Sequence, residues 1–270
     1  MDHIIDRLIV DIKAKNSVVC IGLDPVSEPA DSLFEFNKKI IDATHDIAVA
    51  FKPQIAYYEQ YGAEGMIAFK KTIDYIHAKG VIAIDDSKRG DIGSTATAYA
   101  KGHFEGFGAD AMTINPYAGS DGLAPFLEYA GKGRGLFVWA RSSNPSASEL
   151  QDVTLKNGEP AYTAVANLVH KWGQPYIGTS GYSAVGAVVG ATYPEEAKKL
   201  RALMPSAFWL VPGYGAQGGT AEMVKDCFDA NGLGAIINSS RAIIYDKNPR
   251  EAAISMRDEL NNVRKNVQAR

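Results

Sequence analysis

A run of closely spaced charged residues follows a strand-like segment between positions 81 and 95 of the chain. The apolar or small residues from Val81 to Ile84 lead directly into Asp86, Lys88 and Asp91. Because side chains alternate between the two faces of a strand, Asp86 and Lys88 are predicted to share a face, with Cα atoms about 6.5 Å apart. A carboxylate and an ammonium held in this way can present fixed charge to a substrate and move a proton, provided that the fold places this strand end at a pocket.

Eight short apolar runs recur along the chain and predict eight buried strands. Each run is continuous rather than alternating, which is typical of parallel strands that are covered on both faces. Between the runs lie windows with helical spacing, for example residues 66–78. The predicted strands are Ser17–Leu23, Ile47–Lys52, Val81–Asp86, Ala111–Asn115, Gly135–Ala140, Ala184–Val189, Ala207–Val211 and Gly234–Asn238.

Eight strands that alternate with helices over about 250 residues favour a (β/α)8 TIM barrel. A doubly wound open sheet has the same alternation and stays a second possibility. Because no change in composition marks a boundary, we expect residues 1–270 to form a single barrel domain. The long segment 142–181 between the fifth and sixth strands is expected to be an insertion, either a lid over the catalytic end or a surface addition.

The composition argues against several classes of function. The 270 residues carry a net charge of −3 and give a pI of about 6.0, so the chain lacks the basic character that binding of nucleic acid requires. This balance still allows one small phosphorylated ligand. Cys20 and Cys227 are the two cysteines, which argues against a disulfide framework. The charged amino-terminal stretch and the lack of a run of about 18 apolar residues predict a cytoplasmic protein without a membrane span.

Charged residues also follow other predicted strands. Asp24 follows the first strand, Lys52 ends the second and Arg241 follows the eighth. In a TIM barrel these positions meet at the carboxyl-terminal face, where functional residues lie. Alternating ammonium and carboxylate groups keep one another ionised, whereas a single buried charge would shift its pKa and become neutral. The pattern predicts an active site, with a salt-bridge network that only stabilises the barrel mouth as the alternative.

A glycine-rich segment, residues 212–219, follows the seventh predicted strand. It contains a G-x-G-x-x-G match, but the next strand ends without an acidic residue for a ribose, so a dinucleotide site is poorly supported. Loops after strands 7 and 8 of a barrel commonly bind phosphate, because glycine lets backbone N–H groups approach it. The glycines could also serve only the conformation of the loop. Scattered histidines and strand-end carboxylates that are each accompanied by lysine predict no metal site.

These residues together resemble the orotidine 5′-phosphate decarboxylase family, in its longer bacterial branch. Residues 86–95 match the family signature D-x-K-x-x-D-I-x-x-T. Five further elements agree in order between about residues 15 and 245, so the resemblance covers nearly the whole chain. They are Leu23-Asp24, Phe51-Lys52-Pro53-Gln54, Ser142-Ser143-Asn144-Pro145, residues 212–219 and Asn238-Ser239-Ser240-Arg241.

The resemblance implies decarboxylation of orotidine 5′-monophosphate to uridine 5′-monophosphate, the last step of pyrimidine nucleotide synthesis, without a cofactor or a metal. By similarity, Lys88 would protonate C6 of the pyrimidine as carbon dioxide leaves. Asp86 would lie near the substrate carboxylate, and Lys52 would belong to the same array of charges.

The resemblance also implies how the substrate is bound. Asp91, with Ile92 and Thr95, would reach into the active site of the neighbouring subunit, which implies a homodimer with two shared sites. The other expected contacts are Asp24 with the ribose hydroxyls, Ser143 with the pyrimidine edge, and Gln217 and Arg241 with the phosphate. Gly215, in the same loop as Gln217, is a further expected binding residue.

Two rival functions stay open at this point. A metal-dependent sugar-phosphate decarboxylase or synthase on a related barrel shares the D-x-K-x-x-D pattern, but it carries a carboxylate for magnesium after the second strand, where this chain has Lys52. A non-catalytic barrel that binds pyrimidine nucleotides would share the pocket. Its charge cluster would be dispensable.

Overall fold

Eight parallel strands pair in chain order, and the last pairs with the first, so the sheet closes into a barrel. The computed structural model describes residues 3–191, 194–215 and 218–269. The predicted (β/α)8 TIM barrel is confirmed, and the open sheet is wrong. The strands are β1 (Val19–Leu23), β2 (Ala50–Pro53), β3 (Ile82–Arg89), β4 (Ala111–Ile114), β5 (Gly135–Arg141), β6 (Ser183–Val189), β7 (Ala207–Val211) and β8 (Ala235–Ser239).

Helices cover the outside of the barrel. After β7 a 3-10 segment, Glu222–Cys227, takes the place of an α-helix. Within the described part of the chain, no helix is long and apolar enough to cross a membrane. The α-helices are α1 (Ile4–Lys15), α2 (Leu33–Thr44), α3 (Ala56–Glu59), α4 (Gly62–Ala78), α5 (Gly93–Lys101), α6 (Gly119–Ala130), α7 (Ser148–Gln151), α8 (Ala161–Gly173), α9 (Pro194–Leu203), α10 (Arg241–Ile244) and α11 (Pro249–Gln268).

The burial pattern explains why these segments fold as they do. Every residue of β1, β2, β4, β6, β7 and β8 is buried, because the barrel interior covers one face and the helices cover the other. Helix α11 instead buries a narrow stripe that includes Ala253, Met256 and Leu260, at the spacing of one helix face. It begins with Asn248 as N-cap and Pro249 in the first turn.

Among the strand boundaries that differ from the prediction, two have a clear local reason. Strand β2 begins at Ala50 rather than at Ile47, because the N–H groups of Ile47 and Ala48 donate to the Thr44 carbonyl and close the end of α2. Strand β3 continues beyond the predicted end at Asp86, since the Arg89 carbonyl accepts a hydrogen bond from the N–H of Asn115. This extension includes Lys88 in the strand.

The long segment between β5 and β6 has secondary structure of its own. Residues 154 and 160 form an antiparallel bridge across a turn that includes Gly158. Helix α8 then covers the barrel between β5 and β6. The role of residues 142–181 as a lid stays a prediction.

Arg201 of α9 is a buried cation that joins three backbone segments. Its guanidinium donates to the carbonyl oxygens of Ala207 at 2.8 Å, Cys227 at 2.6 Å and Gly234 at 3.0 Å. The guanidinium carbon also lies 3.8 Å from the ring centroid of Trp209, which is completely buried. Burial lowers the pKa of Arg201 to about 10, so the group stays charged at neutral pH. One side chain therefore ties α9 to the amino-terminal ends of β7 and β8 and to the segment between these strands.

We expect Arg201→Met to lower the free energy of unfolding by about 3 kcal/mol, because three buried carbonyl oxygens lose their donor and the stacking on Trp209 is lost. Urea denaturation followed by circular dichroism measures this change. Lys198→Met on the same helix is the matched control, since the Lys198 side chain is 57% exposed and should contribute little. Equal stability of the two variants would contradict the role given to Arg201.

Candidate active site

The carboxyl ends of several strands line one cavity of about 440 Å³. Parallel strands of a barrel present these ends on one face, so residues that are distant in sequence converge here. Six residues predicted from the sequence lie in the wall of this cavity. They are Asp24, Lys52, Asp86, Lys88, Ser143 and Arg241.

Lys52, Asp86 and Lys88 form a continuous array of ion pairs in the cavity. Lys52 Nζ donates to Asp86 Oδ2 at 2.7 Å, and Lys88 Nζ donates to Asp86 Oδ1 at 2.5 Å. Asp24 Oδ1 lies 3.9 Å from Lys52 Nζ. One carboxylate thus bridges two ammonium groups, and negative and positive charges alternate along the array.

The charges of the array are stabilised by one another rather than by water. Lys52 is 4% exposed and Asp86 is 6% exposed. Burial alone would raise the pKa of Asp86, but the ammonium groups of Lys52 and Lys88 hold that pKa well below its usual range. Burial alone would lower the pKa of Lys52, but the carboxylates of Asp86 and Asp24 raise it above its ordinary value. Lys52 and Asp86 are therefore both ionised at neutral pH.

The backbone of Lys88 is left-handed, with φ of 46°, a conformation that residues other than glycine rarely adopt. Its N–H donates to Thr113 Oγ1 at 2.9 Å, and the same hydroxyl donates to Asp86 Oδ1 at 2.9 Å. The pairing of β3 with β4 also shifts register between Asp85 and Arg89. The regular alternation predicted for Asp86 and Lys88 is therefore interrupted. Their side chains still meet, because Thr113 holds the backbone of one and the carboxylate of the other.

Four of the predicted site residues that the structure describes do not line this cavity in the single chain. Asp91 is partly exposed and Ile92 and Thr95 are exposed, in the loop after β3 and the first turn of α5. Gly215 lines a separate cavity of about 460 Å³ beside the β7 loop. Gln217 lies outside the described residues.

Several residues in or beside the cavity were given no role from the sequence. Trp139 of β5 lies in the wall, with its ring centroid 5.5 Å from Lys88 Nζ. Tyr57 and Asn238 also line the cavity. Thr113 is completely buried in β4 beneath the array. A threonine inside an otherwise apolar strand was the available signal, since a buried hydroxyl needs hydrogen-bond partners.

Among the residues that the structure describes, two buried polar atoms in the cavity wall have no hydrogen-bond partner. They are Asp24 Oδ1 and Asn238 Oδ1, and Asn238 as a whole is 5% exposed. Both atoms are acceptors, and buried acceptors normally find a donor. Hydroxyl groups of a bound ligand would supply donors on this side of the cavity.

The start of the long β5–β6 segment is tied down next to Ser143. Gln151 Oε1 accepts from the N–H of Ser142 at 3.0 Å, and Gln151 Nε2 donates to Ser142 Oγ at 2.8 Å. The buried guanidinium of Arg141 pairs with Asp152 at 2.7 Å. These contacts fix the backbone on both sides of the loop that carries Ser143.

The arrangement suits proton transfer and charge stabilisation better than metal binding. Among residues 3–191, 194–215 and 218–269, no group of three or more histidine, cysteine, aspartate or glutamate side chains is placed to hold a metal ion. The carboxylate at the centre of the array is already occupied by two ammonium groups. What remains is a fixed anion with a proton-bearing lysine on each side.

Comparison with known proteins identifies the family to which the chain belongs. A model of the orotidine 5′-phosphate decarboxylase / HUMPS family matches residues 17–256. The chain belongs to this family. An orotidine 5′-phosphate decarboxylase of Clostridium acetobutylicum is 44% identical to this family member, over 95% of the chain and 98% of the relative. One from Clostridium botulinum is 41% identical, over 98% of the chain and 99% of the relative.

Solved structures agree with this assignment. The structure of a Leishmania donovani OMP decarboxylase superposes on this family member with a TM-score of 0.86 and 35% sequence identity. The superposition covers 97% of the chain and 99% of the Leishmania protein. The family resemblance expected from the sequence is confirmed along nearly the whole chain.

Proposed function

We propose that the chain decarboxylates orotidine 5′-monophosphate to uridine 5′-monophosphate in pyrimidine biosynthesis, with Lys88 as the proton donor. The observation that carries the proposal is the Lys52–Asp86–Lys88 array inside the cavity of a chain that is 41–44% identical to orotidine 5′-phosphate decarboxylases. In this reaction the bond between C6 and the carboxylate breaks and its electron pair stays on C6. A proton from Lys88 Nζ then forms the C6–H bond, and carbon dioxide leaves.

In this proposal, fixed charges near C6 stabilise the electron pair that an electron sink would otherwise accept. Asp86 lies near the substrate carboxylate, and the two negative charges repel each other in the ground state. This repulsion disappears as the carboxylate becomes neutral carbon dioxide. The ammonium of Lys88 stabilises the developing carbanion and is already oriented by Asp86 and Thr113. Because only interactions that strengthen in the transition state accelerate the reaction, fixed charges suit this chemistry.

Contacts far from C6 supply the energy for binding. We assign the ribose hydroxyls to Asp24, whose Oδ1 accepts no hydrogen bond from the described residues. We assign the pyrimidine edge to Ser143, and the phosphate to Arg241 with Gly215 and Gln217. Binding energy from the phosphate and ribose then offsets the cost of placing two carboxylates near each other.

The direct test is to mix the purified protein with orotidine 5′-monophosphate and EDTA and to follow the loss of the ultraviolet absorbance of the substrate. We expect turnover that EDTA leaves unchanged, since lysine and aspartate side chains supply all the charges. Loss of activity in EDTA, with recovery on adding magnesium, would favour the metal-dependent sugar-phosphate barrel. Tight binding of uridine 5′-monophosphate without turnover would favour the non-catalytic barrel.

We also propose a homodimer in which Asp91, Ile92 and Thr95 of one subunit complete the site of the other. The partial to full exposure of these three residues, outside their own cavity, supports this arrangement. Ile92 is 61% exposed, which is a large apolar surface for a residue next to a catalytic strand.

Mixing two inactive variants tests the shared site. Lys88→Ala and Asp91→Ala chains should each be inactive alone, and refolding them together should restore part of the activity. The reason is that one site of each mixed dimer receives Lys88 from one chain and Asp91 from the other. The measurement is turnover before and after mixing, with size-exclusion chromatography to confirm dimers. No recovery in dimers of both chains would contradict the proposal.

A further inference from the structure

A second network of charged groups lies behind the active site, on the other face of β3. Asp85 and Asp86 are neighbours in this strand, so their side chains point to opposite faces. Asp86 enters the cavity, whereas Asp85 is completely buried and contacts His103. His103 is 3% exposed and lies in a π-helical turn, Gly102–Gly106, that extends α5. Neither Asp85 nor His103 lines the active-site cavity.

The contacts of His103 fix which of its ring nitrogens carries the proton. Nδ1 lies 2.5 Å from Asp85 Oδ2, and a carboxylate can only accept, so Nδ1 is the donor. Arg89 Nε donates to His103 Nε2 at 3.2 Å, so Nε2 is the acceptor. His103 is thus a relay between Asp85 and Arg89, because it donates to one and accepts from the other.

Arg89 extends the Asp85–His103 hydrogen-bond network to the end of β3. Its guanidinium also pairs with Glu59 of α3 and lies 5.4 Å from the ring centroid of Tyr99. The backbone of residue 89 is held as well, since its carbonyl accepts from the N–H of Asn115 at 2.8 Å. Gly90 follows in a space so tight that a Cβ atom would lie 2.9 Å from the Asn115 carbonyl oxygen. Contacts on the outside of the barrel therefore fix the path of the backbone from Arg89 to Asp91.

Lys88 has separate support. Its ammonium group pairs with Asp86 and lies near the ring of Trp139, and its backbone N–H donates to Thr113. All three contacts lie on the cavity side of the strand. Loss of the outer network would therefore move the residues after Lys88 more than Lys88 itself.

We propose that Asp85, His103 and Arg89 are positioning residues for Asp91, so that each chain uses them to complete its neighbour's site rather than its own. The proposal rests on the shared-site homodimer proposed above. It assigns a role to Asp85 and Arg89, two residues within or beside the D-x-K-x-x-D motif that do not line the cavity.

Mixed dimers separate the two sites. The tested chain carries Arg89→Met, which keeps the aliphatic stem and leaves the Asp85–His103 pair intact. It is paired with a Lys88→Ala chain or with an Asp91→Ala chain, and a different affinity tag on each chain allows the mixed dimers to be purified. With the Lys88→Ala partner, the one complete site uses Lys88 of the tested chain. With the Asp91→Ala partner, the one complete site uses Asp91 of the tested chain.

We expect kcat to fall about 100-fold in the mixed dimer that relies on Asp91 of the Arg89→Met chain, since a displacement of about 1 Å can have that effect. The mixed dimer that relies on its Lys88 should keep the kcat of the control made with an unmodified chain. Equal losses in both mixed dimers, or no loss in either, would overturn the proposal. If Lys88→Ala and Asp91→Ala chains restore no activity when they are combined in one dimer, the shared site itself is wrong and this proposal falls with it.

Variants of His103 test the relay without touching Arg89. His103→Phe keeps a ring beside Phe107 but can neither donate to Asp85 nor accept from Arg89, and it should give the same one-sided loss. His103→Gln keeps one donor and one acceptor and should restore most of the activity. The double variant Arg89→Met/His103→Phe should lose no more kcat than Arg89→Met alone, because both act through one path. Additive losses, or a glutamine variant as impaired as the phenylalanine variant, would overturn the relay.

Discussion

Replacing Lys88 by alanine should lower kcat for orotidine 5′-monophosphate by at least about 10⁴-fold, because the change removes both the proposed proton donor and the ammonium proposed to stabilise the carbanion. Lys88 Nζ lies 2.5 Å from Asp86 and 5.5 Å from the centroid of the Trp139 ring, so it is already placed before substrate arrives. The measurement is the loss of substrate absorbance under saturating conditions.

Binding of product distinguishes lost chemistry from a lost fold. The dissociation constant of uridine 5′-monophosphate should change by less than about tenfold in Lys88→Ala, which corresponds to about 1.4 kcal/mol. The matched control is Lys13→Ala, an exposed lysine of α1 that should keep normal turnover. A Lys88→Ala enzyme with near-normal kcat would exclude Lys88 as the proton donor.

Asp86→Asn should lower kcat by about 10³-fold and also lower the free energy of unfolding by about 3 kcal/mol. The amide keeps the shape of the side chain but removes the charge between Lys52 and Lys88. The almost completely buried Lys52 ammonium then loses its partner at 2.7 Å, so its pKa falls. Turnover assays and urea denaturation measure the two effects.

The pH dependence of stability gives a second measurement on this variant. The folded pKa of Asp86 lies below its ordinary value, so its contribution to stability is complete above about pH 4 and is lost as the pH falls further. The difference in stability between the unmodified protein and Asp86→Asn should therefore shrink on acidification. Asp74→Asn, at an exposed site on α4, is the control and should shift neither quantity. A constant difference from pH 6 to pH 3 would contradict the assignment.

The order and number of the strands could be read from the sequence because each strand is a short apolar run with turn residues around it. Strand β7 was predicted with the bounds that the structure has, and β4 was one residue too long. The ends of β2 and β3 could not be predicted, since they depend on which carbonyl a given N–H reaches. The backbone hydrogen bonds from Ile47 and Ala48 to Thr44, and from Asn115 to Arg89, can be identified only in the folded structure.

The charged residues that line the candidate active-site cavity were singled out from the sequence, whereas the residues that support them were not. Lys52, Asp86 and Lys88 stand out because charged residues seldom end apolar strands. Thr113 does not stand out, because its role depends on the register between β3 and β4 and on the left-handed backbone of Lys88. The outer partners of Asp85 were also hidden, since His103 follows Asp85 by 18 residues and lies at the far end of α5.

Asp85 and Asp86 are both buried, on opposite faces of β3, and this affects how the barrel assembles. Strand β3 cannot enter the interior with two unpaired carboxylates, because each would be desolvated without compensation. Its burial requires Lys52 from the preceding strand on one face and His103 from the following helix on the other. We therefore expect β3 to dock late in folding and only as part of a β2–β3–α5 unit. Conservative substitutions at Asp85 or Asp86 would then speed unfolding more than they slow folding.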